Sequence, residues 1–481
     1  MLTLSTIFRI GRCGPRHRAC AVLCIMVACL ALASATPLAA QRSGARIVSS
    51  PRDSVSGSST NPLTLNDVFA RVHAGHPLLR AASARIDAAR SSRTTAGAFS
   101  NPVLQYQVEN APLPGRSSVP LDREVITTAM IPLEALYQRG PRVARADADI
   151  RATEAEARAR GIQLSVDAAR AFYRVALAQV TVDVTRDLAA WLDSVVTYNR
   201  VRVSEGIAAE ADLLRAQLEQ DRASAEASMQ EAELARERAT LASYLGAPPA
   251  RNPGLVAMEQ RPLSWSVPDL RDALAGSSTS LSALLDRLPP LIAARERVAS
   301  AAAGVSVERR MVVRDLSATL GTKQTAGYTS LIAGVSLPLP LFTANRGSIA
   351  RATAEQHVAE FELAAVERTA WADLTGAYEA ARVLSDRATQ LAAPVRGGQT
   401  ATPALLLRAD ESRRIALGAY REGAVPLLSV LDAARVWGEV RLTFYRALYA
   451  QHESALALAA ALGIDPQQLL DASIATPGVR P

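Results

Sequence analysis

Residues 202–206 of this chain read RVSEG, and residues 420–423 read YREG. Both stretches end in a glycine that stands between two long segments rich in Ala and Leu. In each case the glycine of a Leu-Gly pair, at residues 245–246 and at residues 462–463, lies 40 positions after that glycine. Equal spacing after two matching stretches indicates a duplicated unit of about 210 residues.

Two more matches lie upstream of these glycines. Residues 138–140 (QRG) correspond to residues 345–347 (NRG), and residues 76–79 (HPLL) correspond to residues 289–292 (PPLI). Because the offsets between the copies differ by only a few residues, loop insertions explain the drift. We therefore expect two similar halves of one elongated body.

This repeat divides the 481-residue chain into six predicted parts. They are a signal peptide (1–40), a flexible lead (41–62), the first structural repeat (63–247), a connector (248–288), the second structural repeat (289–463) and a tail (464–481).

Composition favours packed helices over a large globular core. Hydrophobic residues make up 49% of the chain but aromatic residues only 4%, because Ala dominates the apolar set. Ala, Arg, Leu and Glu at helical spacing are typical of coiled coils. Arg9, Arg12, Arg16 and Arg18 near the N-terminus contribute four units of the net charge of +7. The rest of the chain is therefore only weakly basic, and we expect no nucleic-acid partner.

The N-terminus predicts export from the cytoplasm. All four cysteines lie in the first 29 residues, where a basic stretch precedes an apolar run and then small residues. Residues 26–29 (MVAC) loosely resemble a lipoprotein box, which leaves lipidation of Cys29 open. No later segment offers about 18 consecutive apolar residues, so the sequence predicts no transmembrane helix.

Long helices are predicted on both sides of each turn. Residues 142–247 contain no proline, and their only glycines are Gly161, Gly206 and Gly246, so two helices should fold back at Gly206. A helix over residues 142–204 would be about 95 Å long at about 1.5 Å per residue. The second half predicts a helix after residue 346, a break at Pro394, and helices over 404–422 and 426–462.

Alternating residues predict strands with two different faces. Leu104, Tyr106 and Val108 alternate with polar residues and are predicted to face lipid. Further strands are expected at 124–133, 315–322 and 328–337, with a loop at 323–327. Four strands cannot close a barrel, but three copies would give twelve, which can; the alternative is two small surface hairpins.

No pattern in the sequence predicts catalysis. The chain has no nucleophile elbow, phosphate-binding loop or dinucleotide fingerprint, and His73 and His76 have no cluster of metal ligands around them. We therefore expect neither an enzyme, nor a cofactor, nor a metal site.

The helices that follow the two glycines begin with polar residues. These either lie on a solvated face or meet around an axis as a constriction, where carboxylate rings favour cations and can pair with arginines. The candidates are Glu210, Asp212 and Arg215 in the first half and Ser429, Asp432 and Arg435 in the second.

The second-half turn resembles that of the TolC-type outer membrane factors of Gram-negative bacteria. Residues 427–433 (LLSVLDA) are similar to a family stretch in which Asp-Val-Leu-Asp-Ala is frequent, with Ser429 in place of the first Asp. Residues 101–110, 132–134, 337–342 and 345–347 resemble the cobalt-zinc-cadmium branch of heavy-metal efflux proteins.

This resemblance implies a fold and a function. The fold is a duplicated, mainly α-helical coiled-coil tunnel, with four strands per protomer that form a twelve-stranded barrel in a homotrimer. The barrel would lie in the lipid of the outer membrane and the tunnel in the periplasm. Metals or drugs would leave through this tunnel from an inner-membrane pump of the resistance-nodulation-division type.

The resemblance also implies where a periplasmic adaptor, or membrane fusion protein, binds. It would dock on the two turns, at Glu205, Gly206, Glu422 and Gly423. The alternative from a different class is a periplasmic coiled-coil adaptor or scaffold that has no pore.

Overall fold

The structure is a computed structural model that describes residues 62–111, 122–246, 285–394 and 402–467. The predicted signal peptide, nearly all of the lead and the connector, and most of the tail lie outside the described residues.

Helices account for most of the described chain. The longest, α3, has 70 residues and would be about 105 Å long if straight. Within the described stretches, no helix combines the length and the hydropathy that crossing a membrane would require. The helices are α1 (Leu65–His73), α2 (Pro77–Gly97), α3 (Ala135–Ser204), α4 (Glu210–Leu245), α5 (Pro289–Arg310), α6 (Arg346–Leu391), α7 (Ala404–Arg421) and α8 (Leu427–Ala461).

The expected start of the long first helix at residue 142 was wrong, because α3 begins at Ala135 and runs through Pro141. Proline has no N–H to donate to the carbonyl four residues earlier, which belongs to Tyr137. That carbonyl instead accepts a hydrogen bond of 3.1 Å from Nη1 of Arg310 on α5. A side chain from the second half therefore replaces the bond that the proline removes.

Four strands form one antiparallel sheet in the order β1-β2-β3-β4. They are β1 (Val103–Glu109), β2 (Glu124–Pro132), β3 (Ser317–Thr325) and β4 (Tyr328–Ser336). The pairing of β2 with β3, from Glu124↔Thr325 to Pro132↔Ser317, joins the two halves of the chain. Two separate surface hairpins are thereby excluded.

The loop predicted at residues 323–327 was too long. Residues 323–325 belong to β3, and only Ala326 and Gly327 connect it to β4, both with positive φ (49° and 88°). Two central residues with positive φ match the twist of a tight hairpin. Since alanine rarely adopts a positive φ, an alanine at residue 326 does not indicate a two-residue turn in the sequence.

The core of the described chain is a series of separate hydrophobic clusters between the helices, three of which include residues of α3. A capping box at Thr64 and Asp67 starts α1, whose Val68, Phe69 and Val72 are fully buried. These side chains belong to one cluster with residues of α3, α4 and α8, including Val166. Many of the other buried positions are alanines, which let helices approach closely along their length.

Candidate functional site: the paired helix ends and the two-faced sheet

The two glycine turns have the same backbone geometry. Gly206 has φ of 75° and Gly423 has φ of 77°. In both turns the residue after the glycine donates its N–H to the carbonyl five residues earlier at 2.8 Å, and the glycine donates to the carbonyl three residues earlier at 3.0 Å. This pair of bonds defines a Schellman helix end, which favours glycine at the left-handed position.

Both turns are open in the protomer. Glu205 and Glu422 precede the two glycines and are exposed. No described atom outside the immediate neighbours lies within 4 Å of the place where a Cβ on either glycine would be. The four residues predicted to contact an adaptor are thus accessible.

A buried hydrogen bond ties the two helical hairpins together just before these turns. The hydroxyl of Tyr420 on α7 donates to Oδ1 of Asn199 on α3 at 2.5 Å. Nδ2 of Asn199 donates to the carbonyl of Val195 at 2.9 Å. Asn199 is fully buried and Tyr420 nearly so, so water does not compete for this bond.

Aromatic and cationic contacts surround that bond. The guanidinium of Arg202 lies 5.4 Å from the ring centre of Tyr420 and 5.7 Å from that of Tyr198, and the two rings meet edge to face at 6.0 Å. Burial raises the pKa of Tyr420 above its ordinary value of 10.0, although Arg202 and Asn199 oppose that shift. The phenol therefore keeps its proton at neutral pH.

A second contact holds α7 to α8 and α3. The guanidinium of Arg413 lies 3.9 Å from the ring centre of Trp437 and 5.5 Å from that of Trp191. The indole N–H of Trp437 donates to Oδ1 of Asp410 at 2.6 Å, and Arg441 bonds the same carboxylate at 3.3 Å. Burial lowers the pKa of Arg413 below the usual value of an arginine side chain.

Sequence reasoning missed both of these contacts. A signal existed for the first one, because Leu192, Val195, Val196 and Asn199 recur at helical spacing. A single polar residue in an apolar stripe is buried and needs a partner. Nothing in the sequence identified Tyr420 as that partner, since it lies 221 residues away.

The constriction candidates of the second half lie together on α8. Ser429, Asp432 and Arg435 are exposed, and Nη2 of Arg435 lies 2.9 Å from Oδ1 of Asp432. Ser429 and Asp432 also line a groove of about 850 Å³ between α7 and α8. One face of this hairpin thus carries the predicted polar residues.

The first-half candidates are arranged differently. Glu210 and Asp212 lie in the first turn of α4, where the helix dipole favours acidic side chains. Arg215 is exposed, and within the described residues it forms no ion pair with either of them.

The sheet has one apolar and one polar face. Leu104 and Tyr106 are mostly exposed and Val108 is half-buried. They share their face with the directly opposed side chains of the next strand, Ala129, Thr127 and Val125. The other face carries linked polar groups, among them Lys323 Nζ at 2.6 Å from Glu124 Oε2 and Gln107 Nε2 donating to Glu109 at 2.7 Å.

The histidines do not form a metal centre in the described chain. Nε2 of His73 lies 3.1 Å from the hydroxyl of Ser165 and 3.5 Å from Asp465, whereas Nδ1 of His76 accepts the N–H of Leu78. Across the described residues, no three His, Cys, Asp or Glu side chains converge as metal ligands.

Comparison with known proteins shows which family this chain resembles. Residues 69–247 match the family model described as "Outer membrane efflux protein". The cobalt-zinc-cadmium resistance protein CzcC of Cupriavidus metallidurans is 27% identical over 412 residues, which cover 84% of this chain and 90% of CzcC. This chain is therefore similar to the outer membrane efflux proteins. The predicted resemblance to TolC-type factors is confirmed, and so is the location in the outer membrane with an extension into the periplasm.

Solved structures confirm the predicted fold class of this chain. The CmeC outer membrane channel of Campylobacter jejuni superposes with a TM-score of 0.69 at 14% identity, covering 86% of this chain and 90% of CmeC. The outer membrane protein VceC of Vibrio cholerae gives a TM-score of 0.66 at 19% identity, covering 83% of this chain and 96% of VceC. The relatives of this efflux protein are channel proteins rather than enzymes.

Proposed function

We propose that this efflux protein is the trimeric exit channel of a tripartite system, and that heavy-metal cations are its cargo. The observation that carries the channel is the four-stranded sheet, which has different faces and two unpaired edges. Strands β1 and β4 have no partner on their outer side within the described chain. Such edges are normally paired or covered in native proteins.

Three copies satisfy these edges by pairing with one another. Because the four strands alternate in direction, β4 of one copy runs antiparallel to β1 of the next. Twelve strands then close without an edge, with Leu104, Tyr106 and Val108 toward lipid and the polar face toward the lumen.

The turns at Gly206 and Gly423 are the proposed contact with a periplasmic adaptor, which joins the channel to an inner-membrane pump of the resistance-nodulation-division type. Their openness supports this role. The charge reversal Glu422→Lys should weaken adaptor binding, with Glu439→Lys as a control, because Glu439 is also exposed but lies more than three turns into α8. Equal adaptor affinity for both variants would remove the second-half turn from the interface.

Metal cargo is supported by the likeness to CzcC along most of the chain. It is tested in a strain that lacks this protein but keeps its pump and adaptor. Restoring the protein should raise tolerance to cobalt, zinc or cadmium ions and leave tolerance to organic drugs unchanged. A gain for drugs alone would assign the channel to drug efflux.

The channel itself is tested by conductance in planar bilayers. Detergent-purified protein should have three times the protomer mass and produce discrete current steps. A monomer or dimer that is soluble without detergent and carries no current would instead indicate the periplasmic scaffold.

A further inference from the structure

Large apolar side chains are exposed where the sheet passes into the helices, and they occur at corresponding places in both halves. Leu136 follows Pro132 by four residues, and Phe342 follows Pro338 by four residues. Leu136 is 75% exposed and Phe342 is 98% exposed. An arginine followed by glycine comes next in each copy, at Arg139 and Arg346.

These residues form one patch in each half. In the first half, Leu136 and Arg139 are one turn apart on α3, and the guanidinium of Arg139 lies 5.7 Å from the ring centre of the exposed Phe99. In the second half, the exposed Leu341 and Phe342 precede Arg346, the first residue of α6. We call these two sets, Phe99/Leu136/Arg139 and Leu341/Phe342/Arg346, the junction patches.

In the proposed trimer, the exposure of both junction patches shows that they do not face a neighbouring repeat. In the trimer, the first and second structural repeats alternate around a ring of six. A side chain that points at the next repeat in the ring is covered by its own protomer in one repeat. The corresponding side chain of the other repeat points at the neighbouring protomer and is therefore exposed in a single protomer. Leu164 and Trp371, which correspond at the same offset as Gly140 and Gly347, show this: Leu164 is 3% exposed and Trp371 is 47% exposed. The junction patches are open in both copies, so they face the outside or the lumen.

The apolar character of the junction patches favours the outer surface of the channel over its lumen. Leu337, the residue after β4, is exposed and continues the alternation of Leu331 and Val335, so apolar residues lead from the apolar face of β4 to within five residues of Phe342. Large apolar side chains in a water-filled lumen would be unfavourable, whereas lipid accepts them. Within the described chain neither Arg139 nor Arg346 has a carboxylate partner. Arg139 donates its Nε–H to the carbonyl of Gly97 at 2.9 Å, which leaves its terminal N–H groups for an anion.

We propose that the junction patches bind phospholipid at the periplasmic surface of the outer membrane. The leucines and phenylalanines lie among the acyl chains, and the two arginines bind headgroup phosphates. Arginine suits phosphate because its planar fork donates two parallel hydrogen bonds. Six patches around the trimer would fix the depth of the protein in the membrane.

The inference rests on the proposed channel and is tested by site-directed spin labelling. Since all cysteines lie in residues 1–29, Leu136→Cys and Phe342→Cys each give one label once the predicted signal peptide is removed. Leu428→Cys, exposed beside the Gly423 turn, is the matched control. Trimers are placed in nanodiscs of phosphatidylethanolamine and phosphatidylglycerol, and label collisions with oxygen and with a water-soluble nickel chelate are measured.

Lipid contact predicts frequent oxygen and rare nickel collisions at both patch positions, and the reverse at Leu428→Cys. Frequent nickel collisions at the patches would place them in water, and shielding from both reagents would place them against a neighbouring copy; either result overturns the proposal. Trimer mass and conductance, measured on the same labelled samples, report separately on the channel.

A second measurement addresses the arginines. Native mass spectrometry should show that the Arg139→Gln/Arg346→Gln double variant loses most of the phosphatidylglycerol that the unchanged trimer retains. Arg435→Gln, far along the chain on α8, should retain it. Equal retention by the two variants would exclude phosphate binding by the junction arginines.

Discussion

The bond between Tyr420 and Asn199 should hold the two helical hairpins together at the end of the tunnel. Tyr420→Phe keeps the ring and its contacts but removes the donor, and so leaves Oδ1 of a fully buried Asn199 without its partner. A buried acceptor left unsatisfied costs about 1–3 kcal/mol. Since about 1.4 kcal/mol changes an equilibrium tenfold, the ratio of parted to closed hairpins should rise by about 5- to 150-fold per protomer.

The assay is the mean current of single trimers in a planar bilayer at neutral pH, where Tyr420 is neutral. Tyr420→Phe should raise the mean current or the open fraction. Tyr198→Phe is the matched control, because Tyr198 packs edge to face on Tyr420 but no hydrogen bond of its hydroxyl is found in the described structure. The same current for both variants and the unchanged protein would refute the reasoning that this bond keeps the hairpins closed.

Three further predictions concern single positions. Gly423→Ala should destabilise the protein by about 1–2 kcal/mol, because alanine must adopt a left-handed φ with no new contact, whereas Gly376→Ala inside α6 should stabilise it by about 0.5–1 kcal/mol. Chemical denaturation measures both, and a similar effect at the two sites would contradict the assignment of the cost to φ. Hydrogen bonds from Thr64 lower the pKa of Asp67 from its ordinary value of 3.8, so their stabilisation is present above that pH and is lost as the pH falls through the lowered pKa. Thr64→Ala should therefore cost about 0.5–2 kcal/mol at pH 7 and progressively less in acid. A cost independent of pH would exclude the bond from the Thr64 hydroxyl to the Asp67 carboxylate as its source. Asp432→Asn should raise single-channel conductance and reduce the preference for cations, as expected if three carboxylates meet at a constriction, whereas Glu439→Asn should do neither. Reversal potentials in asymmetric salt measure the preference for cations. An unchanged reversal potential for Asp432→Asn would remove Asp432 from the pore lining.

Local and repeated patterns made much of the fold predictable from the sequence. The glycine turns, the ends of α7 and α8, and the alternation in β1 each depend on a few neighbouring residues, and the structure has them within a residue or two of the predicted bounds. The start of α3 was missed because its Pro141 is tolerated only through Arg310, a residue of the other half. The length of β3 was missed because Ala326 gives little signal for a left-handed turn.

The candidate site was less predictable for the same reason. A polar residue at the start of a helix can be identified from sequence, but its partner across the bundle cannot. Thus Asp432 and Arg435, one helical turn apart, were paired in advance, whereas the bond of Asn199 to Tyr420 and the position of Arg413 between two tryptophans depend on how distant helices meet.

The pairing of β2 with β3 has a consequence for the order in which the chain folds during secretion. On one side residues 124–132 pair with the neighbouring β1, but on the other side they pair with residues 317–325, which follow α3, α4, the connector and α5. During secretion the first hairpin therefore reaches the periplasm before β3, and the edge of β2 that later pairs with β3 is unpaired until then. Closing so large a loop is slow, and an unpaired edge can meanwhile associate with another chain. A periplasmic holding factor that covers strand edges would thus matter most in the interval between the arrival of the two hairpins.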